Sequence, residues 1–291
     1  MTTFFLFVFG AAIGSFLNVV ILRYDPRKLL LGKSLLGRSR CPRCGKILRW
    51  FELVPLVSFA VQLGRCRTCG VRLSIQYPLV EILSGLIFVL VPIHLKTFYF
   101  LLSTFHFTAL SALWVLVFLA LLVIFFIDLR LSIIPDETNL FLGLLGILIV
   151  FAGQSYFGPS QGSFLGGYSL IFGLRTGVGI WFNHILAALG AGALFAFIIF
   201  VTRGRGMGMG DLKLAIPLGL VFGWPDIIIV LGLSFIIGSI FGVGAIALRR
   251  KNLKSSVPFG PFLVAASALV FFFGQDMVGL YFKFFNGFFN F

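Results

Sequence analysis

Runs of apolar residues long enough to cross a bilayer recur along nearly the whole of this chain, and they exclude most folds before any motif is read. Inside hydrocarbon every backbone N–H and C=O needs an internal partner, so such runs become helices or closed barrels. A helical span takes roughly 20 apolar residues. Residues 3–22, 77–100, 107–127, 139–152 and 184–202, a short run at 211–222, one ending near residue 249 and one starting near residue 257 give about eight spans. Only 11% of the 291 residues are charged, outside the usual composition of a soluble domain. The expected fold class is an all-α polytopic membrane protein with about eight transmembrane helices. Its expected organisation is a first transmembrane helix at 1–22, one soluble segment at 23–76, and a membrane domain at 77–291.

The net charge of +14 suggests nucleic acid until its distribution is considered. Twelve of the 23 basic residues fall between Arg23 and Arg72, against only Asp25 and Glu52, which leaves that loop at +10. Such a loop is expected in the cytoplasm under the positive-inside bias, with anionic lipid headgroups as its counter-charge and no nucleic-acid partner. The run at 3–22 has no basic residue before it and Arg23 after it. That is the reverse of a signal peptide, so the reading is a retained helix with its N-terminus outside. Its Gly10, Ala11, Ala12, Gly14 and Ser15 suit close helix packing, and Asn18 reads as interhelical glue, with a site-lining role as the alternative. Alternating the spans from there puts Arg203, Arg205, Arg249, Arg250, Lys251 and Lys254 inside and the Gly/Ser-rich stretch 153–182 outside. It also puts Asp128, at the end of one span, and Asp211, at the start of another, on one membrane face.

All four cysteines lie in the basic loop, as Cys41-Pro-Arg-Cys44 and Cys66-Arg-Thr-Cys69 with 21 residues between the pairs. Two C-x-x-C knuckles offer four thiolates to a tetrahedral Zn²⁺ ion. Gly45 and Gly70 follow the pairs where tight turns are needed. Two disulfides or a redox pair are the competing reading, which a reducing compartment disfavours. A polar segment this small buries little core, so a metal would supply its stability.

The chain has nine carboxylates. Asp25 and Glu52 lie in the basic loop, Asp226 and Asp276 fall outside by the topology, and Asp136 with Glu137 reads as a solvated turn after Pro135, which ends a helix. Glu81, near the entrance of the second span, is either a supporting group or a plain helix cap. Asp128 and Asp211 remain, each flanking an apolar helix. Asp211 follows Gly206-Met-Gly208-Met-Gly210 and precedes Lys213; capping of the next helix is its bland alternative. Gly208 and Gly210 would let a peptide or a neighbouring helix approach the backbone where a Cβ intrudes. His94, His106 and His184 are scattered, with no partner at ligand spacing. For hydrolysis that leaves two aspartates sharing one proton around a water, one acting as base and the other polarising the scissile carbonyl. A non-enzymatic scaffold, or a transporter moving protons or cations over the two acids, is the alternative from another class.

These residues resemble the type IV prepilin peptidases, bacterial polytopic G-x-G-D aspartyl proteases, almost from end to end. Gly14-Ser-Phe-Leu-Asn18-Val looks like the family's first-helix signature, Cys41 to Cys69 like its tetracysteine domain, and Tyr77-Pro-Leu-Val-Glu81 like the opening of its second helix. Asp128 with Ile134-Pro135-Asp136, and Gly206-Met-Gly208-Met-Gly210-Asp211-Leu-Lys213, are similar to its two aspartate motifs, and Pro258-Phe-Gly-Pro-Phe262 to its last. The resemblance implies that Asp128 and Asp211 are catalytic, with Gly208, Gly210, Lys213, Pro135, Asp136 and Glu81 in supporting places. It implies a bacterial inner-membrane enzyme that removes the basic leader of prepilins or pseudopilins at the cytoplasmic face. By resemblance alone, it also implies methylation of the new N-terminus from S-adenosylmethionine, for which no Rossmann glycine motif is present.

Overall fold

The computed structural model describes residues 1–27, 37–98, 104–154, 163–165, 179–204, 206–247 and 257–289. Lys28, Lys33 and Arg205, the cluster Arg249, Arg250, Lys251 and Lys254, and most of the 153–182 stretch with Arg175 lie outside the described residues. Among the described residues the regular structure is helical: α1 Thr2–Arg23, α2 Val57–Val61, α3 Gln76–Phe98, α4 Thr104–Leu131, α5 Asp136–Gln154, α6 Ile180–Thr202, α7 Met209–Phe222, α8 Asp226–Ala247 and α9 Gly260–Phe289. Seven of these are long and apolar enough to cross a membrane, and the chain is a multi-pass membrane protein. The short run expected at 211–222 forms α7, whose 14 residues reach about 21 Å at a rise of about 1.5 Å per residue. That falls short of a hydrocarbon core of roughly 30 Å. Lipid-suited faces are evident where large apolar side chains point outward, as at Leu189, Phe197 and Phe200 on α6 and Ile236, Ile240 and Val243 on α8.

The chain divides into two compact units, Met1–Ile127 and Asp128–Phe291. In the first, α1 packs on α3 through the small residues anticipated there. A Cβ on Gly14 would lie 2.8 Å from Glu81 Cα, and one on Gly10 2.8 Å from the Ser84 carbonyl oxygen. Backbones this close cannot admit a side chain. Two polar bonds fix the register: Ser84 Oγ donates to the Gly10 carbonyl at 2.7 Å, and Asn18 Nδ2 donates to the Tyr77 carbonyl at 3.0 Å. Asn18 is the interhelical glue the sequence suggested.

In the second unit α7 packs on both α5 and α6, and α8 on α9. Glycine again sets the approach: a Cβ on Gly146 of α5 would lie 3.0 Å from Leu220 Cβ, and one on Gly192 of α6 2.9 Å from Ile216 Cγ1. Aromatic rings close the seam where α9 begins, with the Phe235 and Phe259 centroids 5.0 Å apart and the planes tilted by 39°. His184 Nδ1 lies 2.7 Å from the Leu220 carbonyl oxygen, and Asn183 both accepts from Trp224 N and donates to Trp224 O, so the α6, α7 and α8 ends are joined by polar bonds. Asp226, which the alternation of spans placed outside, is fully buried. It accepts from Ser163 Oγ at 2.5 Å and from Phe164 N at 2.9 Å, and Phe164 stacks on Phe271 with centroids 4.6 Å apart. An acid in the first turn of an apolar helix thus anchors a short piece of the preceding loop.

Candidate active site and metal centre

α4 ends at Leu131, and Ser132, at φ 54°, turns the chain while its N–H donates to the Asp128 carbonyl at 2.8 Å. The break therefore falls three residues before Pro135. Pro135 instead opens α5: its carbonyl accepts from Thr138 Oγ1 at 2.7 Å. Asp128 is left on the last turns of α4 with 3% of its surface exposed, and its Oδ2 is buried without a hydrogen-bond partner.

α6 ends with Arg203 in the left-handed region, its N–H returning to the Ile199 and Phe200 carbonyls, a tight helix stop. Gly204 continues the turn at φ 73°. Gly206 has no room for a side chain, since a Cβ there would lie 2.8 Å from Thr202 Cγ2. Gly208 precedes α7, and Asp211 Oδ2 accepts from its N–H at 3.3 Å. Asp211 is thus a helix cap, as the bland reading had it. It is also buried, at 9% exposure, and that is unusual for a mere cap.

Ile134 joins the two places. A Cβ on Gly210 would meet Ile134 Cβ at 3.6 Å, and a Cβ on Gly260, the first residue of α9, would lie 3.2 Å from Ile134 Cδ1 and 2.5 Å from Asp128 Oδ2. The Gly260 amide is directed at the Asp128 carboxylate, and Asp128 and Asp211 are near enough for their charges to act on each other. Two buried carboxylates therefore converge where the ends of α4, α7 and α9 meet. Lys213 reaches from α7 to Asp136 at the start of α5, with Nζ–O distances of 2.8 and 3.0 Å. The chain's own packing would accept a Cβ at Gly208 and Gly210, where the closest contacts are 3.5 and 3.6 Å. Space at these two glycines is open toward whatever approaches from outside the chain. Gly260 is the glycine whose absent side chain makes room for Asp128.

The other sequence-predicted groups lie in the first unit. Cys41 N–H bonds to the Lys46 carbonyl and Gly45 N–H to the Cys41 carbonyl; Cys66 and Gly70 repeat the pattern with Val71 and Cys66. Gly45 and Gly70 both sit at φ 69°, which only glycine adopts freely. The two knuckles bring all four Sγ atoms within 4.8 Å of one another. Cys41 Sγ and Cys69 Sγ are 3.8 Å apart, the edge of a tetrahedron with metal–sulfur bonds of about 2.3 Å. The cysteines are free thiols, so the disulfide reading is not the one the fold takes. Backbone N–H groups of Cys44 and Arg43 hold the Cys41 thiol down to about 6, and those of Cys69 and Thr68 pull Cys66 below the ordinary thiol range, while burial and the neighbouring sulfurs push Cys69 up to about 11, so a metal ion would have to displace its proton. Thiolates are the form a metal binds, so the cluster fits a tetrahedral metal ion.

Glu81 is 6% exposed, and its Oε2 accepts from Leu56 N, 25 residues away in the loop, at 2.8 Å. It therefore ties the cysteine lobe to α3. Glu52 does the same within the lobe: its carboxylate accepts from Arg49 N at 2.8 Å and lies 3.7 Å from Lys46 Nζ. A cavity of about 270 Å³ opens between the lobe and the adjoining ends of α1 and α3.

Comparison with known proteins agrees with this arrangement. Residues 8–95 match the family described as the bacterial peptidase A24 N-terminal domain, and residues 114–243 match the type IV leader peptidase family. A prepilin leader peptidase/N-methyltransferase of Aeromonas salmonicida (strain A449) is 33% identical over 94% of this chain and 92% of that protein. A protein of the same name from Bacillus subtilis (strain 168) is 31% identical over 96% of this chain and 97% of its own length. One from Myxococcus xanthus (strain DK1622) is 54% identical over 85 residues, 29% of this chain and 24% of that protein. No solved structure matches. With its paired buried aspartates, its four-cysteine lobe and relatives of this identity over nearly its whole length, the chain belongs to the type IV leader peptidase family.

Proposed function

We propose that the protein removes the basic leader of type IV prepilins or pseudopilins at the cytoplasmic face of a bacterial inner membrane, and that it N-methylates the residue so exposed. The observation that carries the peptidase reading is the convergence of Asp128 and Asp211 beside Gly260 and Ile134. Asp128 and Asp211 are the catalytic pair. They share one proton: the ionised member draws a proton from water while the protonated member donates to the scissile carbonyl oxygen, and the proton belongs to the pair rather than to either residue. Gly208 and Gly210 leave the rim of α7 open for an extended peptide backbone. Lys213 and Asp136 brace α7 against α5 at the same rim, and Pro135 opens α5.

Residues 23–76 form the tetracysteine domain, in which Cys41, Cys44, Cys66 and Cys69 hold Zn²⁺ as a structural ion. Glu81 fastens that domain to the membrane portion, residues 77–291. The basic loop faces the cytoplasm and its anionic lipids, which places the N-terminus outside. S-adenosylmethionine, when bound, supplies an electrophilic methyl group; the relatives' N-methyltransferase name and the cavity beside the cysteine lobe support its use. The test is to co-express the chain with a prepilin and weigh the product. Loss of the leader with a gain of one methyl group is expected, and an unprocessed prepilin would refute the proposal.

A further inference from the structure

The cavity beside the cysteine lobe is lined by one buried acceptor that the described protein groups leave without a partner and by two buried carboxylates. Asn18 sits at its floor with 1% exposure. Its Nδ2 donates to the Tyr77 carbonyl, which fixes the orientation of the amide, and its Oδ1 is buried without a partner. Glu52 and Glu81, both buried, line the same space. Glu52 accepts from Arg49 N and lies 3.7 Å from Lys46 Nζ, and Glu81 accepts from Leu56 N and from the Ser15 hydroxyl; a carboxylate with two such partners keeps lone pairs for a further donor. Buried acceptors are satisfied in nearly all native structures, so this floor calls for a ligand rich in N–H, O–H or positive charge. Arg40 and Tyr77 are also in the lining and suit a carboxylate and a flat heterocycle. About 270 Å³ is near the lower end of small-molecule sites, roughly 300–1,000 Å³.

The geometry points to this cavity as the binding site of the methyl donor, a cationic sulfonium nucleoside of the S-adenosylmethionine class, with Asn18 Oδ1 and the Glu52 and Glu81 carboxylates receiving its donors and its charge. The inference rests on the N-methyltransferase activity proposed above. In that transfer the amine lone pair forms the N–C bond as the C–S pair returns to sulfur, so the positive charge passes to nitrogen and a neutral thioether leaves. A site built from acceptors holds the cationic donor more tightly than that neutral product, which favours exchange after each turnover.

Full-length zinc-loaded protein in detergent, irradiated with methyl-tritiated S-adenosylmethionine and digested, tests this, with label transfer to a supplied prepilin measured in parallel. Label is expected in peptides covering 15–23, 39–62 or 73–81, and at least about tenfold weaker binding is expected in Ser58→Trp, whose indole occupies the cavity from α2. Asn18→Leu, which keeps the volume and removes the acceptor, is expected to weaken binding as well; because it also breaks the Tyr77 bond, Ser58→Trp decides where that variant does not insert. Label confined to 128–291, or undiminished in Ser58→Trp, overturns the site while transfer to the prepilin still stands. A wild-type chain that neither takes label nor methylates a prepilin overturns the activity on which the inference rests.

Discussion

Replacing Gly260 by alanine adds one methyl group at the point where the fold has least room for it. The new Cβ would lie 2.5 Å from Asp128 Oδ2 and 3.2 Å from Ile134 Cδ1, whereas ordinary contact begins at 3.4 Å, so the carboxylate must retreat by 0.9 Å, the difference between 3.4 and 2.5 Å. It has nowhere easy to go, because Asp128 is 3% exposed and close packing transmits such displacements. A misplacement of about 1 Å in a catalytic group costs on the order of 100-fold in rate, equivalent to about 2.7 kcal/mol of transition-state stabilisation. The assay is the first-order rate of leader removal from a purified prepilin by the full-length variant in detergent, with zinc content and thermal unfolding as controls for folding. Gly190→Ala is the matched comparison, since its Cβ meets nothing within 4 Å, and helical Gly→Ala gains up to about 1 kcal/mol in stability. The expected result is a rate near 1% of wild type for Gly260→Ala and an unchanged rate for Gly190→Ala. Gly260→Ala cleaving within about twofold of wild type would show that the carboxylate's position is not what sets the rate.

The Asp136–Lys213 ion pair is exposed on both sides, so Lys213→Ala should lower stability by no more than about 1 kcal/mol, with an effect that shrinks in high salt; a larger, salt-independent loss in thermal unfolding would give the lysine a different role. Glu81→Ala leaves the Leu56 N–H without its acceptor, which costs about 1–3 kcal/mol and should appear as faster proteolysis of 53–62 with the membrane-spanning helices intact. A chelator, or Cys41→Ser, should release about one metal ion per chain and open the cysteine lobe to protease. Cys41 is held down to about 6, so the thiolate and the metal affinity it contributes are present above that pH and lost as the pH falls through it. Cys69 is pushed up instead, to about 11, and must lose its proton to the metal, so metal content should fall steadily on acidification; a content unchanged from about pH 8 to about pH 4 would contradict the thiolate cluster.

The helices were legible because hydropathy and the bilayer's demand for internal hydrogen bonds act locally along the sequence. The convergence of Asp128 and Asp211 was legible too, since alternating the spans puts both on one face, and the cysteine spacing announced the four-sulfur cluster. What could not be read were contacts set by distant backbone. Gly260 is one of 34 glycines, and nothing local marks it as the one that faces Asp128. Glu81 stayed ambiguous because its partner is a main-chain N–H of the loop, which has no sequence signature. Asp226 was set aside as an outer acid because charge bookkeeping by topology cannot see three residues of the loop folding back over it.

The central claim is that two aspartates at the meeting of α4, α7 and α9 share the chemistry of leader removal. Asp128→Asn and Asp211→Asn keep shape and volume while removing the capacity to ionise, so each variant, inserted and zinc-loaded, should show no leader removal when its co-expressed prepilin is weighed. Full cleavage by either variant would contradict the account.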